Sequence, residues 1–135
     1  MISGMKMNDA HEYSEEVLNK LKETYSLAQR VYGREFVFPT IFYEDMGRTA
    51  GRAYYSFNRI ALSRTLLSEN LETFLGRTVP HEAAHLICRV LYPDAKQHHG
   101  PEWRSVMRAL NVKNSSRCHA YDTSSVSRKR SLVSA

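Results

Sequence analysis

The run His81-Glu82-Ala83-Ala84-His85, inside TVPHEAAHLICRVLY, constrains this 135-residue chain more than any other segment. On an α-helix, at ~100° per residue, two histidines four apart lie about 40° from each other and one turn apart on the same face. Both imidazoles can then grip one metal ion. Glu82 is turned ~100° from His81, poorly placed to bind the same ion but able to reach a water beside it and take its proton. Leu75, Val79, Ala84, Ile87, Val90 and Leu91 give an apolar face away from the histidines, so a buried amphipathic helix is predicted. Catalytic zinc sites keep three protein ligands and leave the fourth position to water. A third ligand must therefore come from elsewhere.

Pro80 directly precedes His81 and either opens a new helix or kinks one already running. Ser68 with Glu69 and Glu72 reads as a helix start, which favours one kinked helix from about Ser68. Beyond it, Pro93 and Asp94 signal a turn, and a second helix is expected from Pro101, with Val106, Met107 and Leu110 at helical spacing. The adjacent pair His98-His99 stands just before that helix, where a histidine could face the first one. Both remain candidates for the third ligand on spacing alone.

The segments TVPHEAAHLI and HHGPEWRSVMRALN resemble the SprT-like family of zinc metallopeptidases, which includes bacterial SprT proteins and Spartan-type proteases. That family pairs HExxH with a later His-Gly-x-x-Trp/Phe. Carried over residue by residue, the resemblance makes His81, His85 and His99 the ligands of one zinc ion and Glu82 the catalytic base. His98 has no counterpart in the motif and is the rival third ligand. TAGRAYYSFNRIALSRTLLSEN resembles the family's short strands leading to the active-site helix, so the similarity covers roughly residues 36–111. It implies a zincin-like minimal metalloprotease domain. Spartan-type members cleave proteins attached to DNA, so the resemblance also implies DNA as a partner and DNA–protein crosslink repair as a setting. Many relatives continue into a zinc ribbon with paired CxxC motifs. This chain departs there, having only Cys88 and Cys118.

The rest of the chain bounds the architecture. Asp9 with Glu12 resembles a capping box, and Tyr13, Val17, Leu21, Tyr25, Ala28 and Tyr32 recur at helical spacing up to Gly33. Between Phe36 and Leu67 the period changes: FVFPTIFYE, GRAYYSF and RIALS predict a three-stranded antiparallel sheet, with Pro39 marking an edge or a strand start. The predicted class is α+β: an N-terminal helix, the sheet, the HExxH helix, and a following helix carrying the third ligand at its start. The expected domain spans 8–111, and 112–135 is expected to be a partly disordered basic, Ser-rich tail. Residues 112–135 carry five basic residues against Asp122, most of the chain's net charge of +5.

Arg48, Arg52, Arg59 and Arg64 recur through the strand region, and Arg48 and Arg52 join Arg128, Lys129 and Arg130 as candidate nucleic-acid contacts. Tyr54, Tyr55 and His98 are candidates to contact the substrate or its transition state. No apolar run of membrane-spanning length or secretory leader pattern is visible, so an intracellular protein without membrane partners is expected. Two distant cysteines argue against a disulfide scaffold, and Cys88 reads as a small packed residue. The function expected is zinc-dependent endopeptidase activity on a protein or peptide substrate. The alternatives are a zinc-containing nucleic-acid or protein binding module, and a three-histidine endoribonuclease.

Overall fold

The structure, a computed structural model, describes residues 10–112 and 121–126. Helix α1 (Ser14–Tyr32) turns Val17, Leu21, Tyr25 and Ala28 inward and ends at Gly33, whose φ of 65° suits a residue without Cβ. Asp9 of the expected capping box lies outside the described residues. The helix itself begins at Ser14, where the Ser14 hydroxyl accepts the His11 N–H at 3.0 Å.

Three strands follow: β1 (Thr40–Glu44), β2 (Gly51–Tyr54) and β3 (Arg59–Ser63). They form one sheet in the order β1-β3-β2. β2 and β3 pair antiparallel, but β1 pairs with β3 in parallel, Thr40 opposite Arg59, so the sheet is mixed. The fully antiparallel expectation fails because the strand with the most buried face takes the centre. In β3, Ile60 through Ser63 are all buried, and with β2 paired along one edge the other edge takes β1. Asn58 fixes that arrangement: it takes φ 49° in the β2–β3 turn while its side-chain amide donates to the carbonyls of Val37 and Phe38 at 3.0 and 3.3 Å. One residue therefore closes the hairpin and ties down the entry to β1.

Ser63 ends the sheet and caps α2 (Arg64–Glu69), its hydroxyl accepting the Leu66 N–H at 3.2 Å. The expected start at Ser68 falls inside α2. The break comes at Asn70 (φ −139°, ψ 47°), whose side-chain amide donates to the Leu66 carbonyl at 2.9 Å and stops that helix. A short turn, α3 (Leu71–Thr73), runs through a π-helical turn (Phe74–Thr78) into α4 (Val79–Leu91). Phe74 and Val79 keep helical angles, and the Val79 N–H reaches back five residues to the Phe74 carbonyl. The wider turn lies where Pro80 can donate no bond of its own.

Helix α4 is buried on every side from Val79 to Cys88, packed between α1, the sheet and α5 (Pro101–Ala109). Burial all round puts polar His81, Glu82 and His85 in the interior beside the core, where such groups are costly unless partnered. Tyr121 stacks on Phe74 with ring centroids 5.1 Å apart and shares a 2.6 Å hydrogen bond with the Thr78 hydroxyl. The π-helical turn is thus gripped from the C-terminal side. No helix among the described residues is long and apolar enough to cross a membrane.

Candidate metal centre

Helix α4 presents His81 and His85 one turn apart, and the chain between α4 and α5 returns to set His99 against them. The candidate ligand atoms of these three histidines all lie within 4.8 Å of one another, so the set could hold a metal ion. Nε2 of His85 and Nε2 of His99 approach to 3.0 Å. Imidazole nitrogens ~2.0–2.1 Å from a zinc ion at tetrahedral angles would stand about 3.4 Å apart, so a small adjustment of the rings suffices. Burial, and after it the neighbouring imidazoles of His81, His99 and His98, push His85 down to about 2. It stays neutral, with a lone pair available for a cation.

Trp103, one turn into α5, forms the wall behind the cluster. Its ring centroid lies 4.8, 5.3 and 4.7 Å from those of His81, His85 and His99, and its side chain is 1% exposed. Pro101 at the start of α5 and the extended Gly100 before it bring His99 and Trp103 to the same place. Its ring packs against all three imidazoles at once.

Glu82 is buried beside the histidines, its Oε2 3.9 Å from Nε2 of His81. Burial pushes its carboxyl up to about 8, against the opposing charges of Arg52 and Arg77. A cation at the histidines would add to that opposition and favour the carboxylate. Strand β2 passes close to this side chain with glycine at residue 51: a Cβ there would lie 3.0 Å from Glu82 Cγ, 3.1 Å from Oε2 and 3.2 Å from Thr78 Cγ2, so the neighbours would have to give way. Gly51→Ala is therefore expected to displace Glu82 while leaving the metal in place. If Glu82 serves as a general base, turnover should fall roughly 10- to 100-fold, since small misplacements of a reacting group carry penalties of that order. Steady-state kinetics beside metal analysis checks this, and an unchanged rate would mean that Glu82 tolerates the shift.

A cleft of about 410 Å³ opens over these groups, between β2 with the loop before it and the π-helical turn with α4. Arg48 and Arg52 line it as two of the four arginines singled out in the sequence, whereas the other two serve the fold. Arg59 lies over the rings of Phe42 and Phe57, and Arg64 donates to the carbonyls of Ala10 and Tyr43. Arg128, Lys129 and Arg130 lie outside the described residues. Tyr55 and His98 meet at the rim, the Tyr55 hydroxyl 2.9 Å from His98 Nδ1 with the rings stacked, while Arg89 covers the other flank of Tyr55 at 4.7 Å. Tyr54 does not line the cleft.

His98 is thus engaged with Tyr55, and His99 completes the cluster. Cys88 is buried, burial pushes its thiol up to about 11, and it is not part of the cluster. Cys118 lies outside the described residues. Arg77, Thr78 and Gly51 were not anticipated from the sequence. Gly51, as an isolated glycine opening a strand, carried the one available hint of a close approach.

The model of the SprT-like family matches residues 14–124. The protein named Protein SprT from Pasteurella multocida is 40% identical over 115 residues, covering 85% of this chain and 69% of that protein. Protein SprT from Shewanella oneidensis is 36% identical over 115 residues, covering 85% and 73%. Protein SprT from Vibrio parahaemolyticus is 36% identical over 118 residues, covering 87% and 71%. No solved structure is a significant match.

Proposed function

The chain belongs to the SprT-like family, and from that premise we propose that it is a zinc-dependent endopeptidase using His81, His85 and His99 as ligands and Glu82 as its general base. The observation that carries this reading is the gathering of three imidazole donors around one point with the buried Glu82 carboxyl group beside them. Three imidazoles suit zinc, which when bound supplies Lewis acidity toward a carbonyl and activates water near neutral pH.

The chain's own residues supply the rest. Glu82 Oε2 takes the proton of the attacking water and returns it to the leaving amine nitrogen. Trp103 keeps the three rings from turning away. The Tyr55 hydroxyl, which pairs with His98 Nδ1, lines the same cleft and is a donor that could meet a developing oxyanion. β2 is an edge strand of the described sheet beside the cleft, and its outer side can take an extended peptide by main-chain hydrogen bonds, which favours broad sequence tolerance.

Removing the metal tests the reading. Dialysis against a chelator should abolish cleavage of an unfolded protein substrate, and stoichiometric zinc should restore it. Cleavage that survives in metal-free protein would refute the assignment. Action on DNA-associated targets is a further part of the proposal, resting on Arg48 at the cleft and the family resemblance. Single-stranded DNA that neither binds at low salt nor alters cleavage would remove that part. RNA cleavage dependent on Glu82 would favour the endoribonuclease instead, and biological activity intact in Glu82→Gln would favour a binding module.

A further inference from the structure

The cleft holds more positive charge than proton transfer at Glu82 requires. Arg52 on β2 and Arg77 in the π-helical turn reach it from two different elements, Arg48 joins them, and among the described residues Glu82 is the one acidic side chain lining it. Arg52 and Arg77 are close enough for their charges to act on the Glu82 carboxyl. A cation bound at the histidines would leave the reacting centre still more positive. Such a surface repels basic segments and attracts carboxylates, and the guanidinium fork matches a carboxylate's two oxygens.

We propose that Arg52 and Arg77 form a carboxylate-binding subsite, so that the cleft selects peptides carrying an acidic side chain, or a free chain terminus, next to the bond presented to Glu82. The identity of the occupant as a peptide rests on the peptidase reading. The charge of the subsite does not. A peptide carboxylate fits better than a nucleic-acid phosphate because these arginines line the same cleft as Glu82. A polynucleotide reaching them would occupy the place of the substrate.

Binding, not turnover, tests this. Four fluorescent versions of one short, otherwise uncharged peptide, carrying internal Glu or Gln and a free or amidated C-terminus, are titrated into zinc-loaded Glu82→Gln protein at low salt. One of the carboxylate forms should bind roughly tenfold more tightly than its neutral partner, as charge-assisted pairing allows. The Glu/Gln pair and the free/amidated pair distinguish the two sources of carboxylate. Arg52→Gln should erase the preference, and Arg52→Glu should reverse it. Arg52 is exposed on an edge strand, so these variants leave the core untouched, unlike changes at Arg77.

Equal binding of all four peptides, or binding of none, overturns the subsite. So does a single-stranded oligonucleotide that displaces the peptides and depends more strongly on Arg52 than they do. Discrimination among the peptides by Glu82→Gln protein, with no cleavage of an unfolded protein substrate by the zinc-loaded wild type, keeps the subsite and loses the peptidase. Cleavage and binding both indifferent to the carboxylate do the opposite.

Discussion

Replacing His99 with alanine should empty the metal site, and replacing His98 should not. The two residues are neighbours in the chain with different surroundings: Nε2 of His99 stands 3.0 Å from Nε2 of His85, while Nδ1 of His98 stands 2.9 Å from the Tyr55 hydroxyl. Losing one of three ligands should weaken zinc affinity by more than about 100-fold, since even residues supporting the ligands are worth 10- to 100-fold. Metal content after dialysis against a weak chelator reads the difference. His98→Ala should keep its zinc and lose only whatever the Tyr55 hydroxyl gains from being held. If His98→Ala strips the metal while His99→Ala retains it, the third ligand is misassigned.

Glu82→Gln should keep full zinc content and lose about 10²–10⁴-fold in kcat, the usual worth of a positioned acid–base group. Glutamine has nearly the same shape, so it should fit against Gly51 and Thr78 as glutamate does. It has no carboxylate to accept a proton. Folding should tolerate the change, because the buried carboxyl is already pushed up to about 8 and its charge is costly to hold there. Matched metal analysis, thermal unfolding and cleavage of an unfolded protein substrate separate loss of chemistry from loss of structure. Undiminished cleavage by a metal-replete variant would remove Glu82 from its role.

The elements most legible in the sequence are those whose pattern and packing coincide. The stripe from Val17 to Ala28, the Pro101 start of α5 and the HExxH spacing each put side chains where local periodicity alone requires them. Strand order was not legible, because a parallel β1–β3 pairing depends on which strand is buried on both sides and on Asn58 tying β1 to a distant turn. Nor was the break at Asn70. Its amide competes for a helix carbonyl, and Ser68 with the two acids after it imitates a helix start.

At the candidate site, the motif residues are local and could be read directly. Gly51, Arg77 and Thr78 matter only through approaches between β2 and the turn before α4, and Tyr121 only through its reach to Thr78. Such roles leave no periodic mark. His98 and His99 were separable in sequence only through the family motif, whereas in the fold their different partners separate them.

X-ray absorption at the zinc edge of the metal-loaded protein tests the proposed centre most directly. Three imidazole nitrogens and one light ligand, at ~2.0–2.1 Å, are expected, with no sulfur contribution. A sulfur shell at ~2.3 Å, or fewer than three imidazoles, would contradict a centre built from His81, His85 and His99.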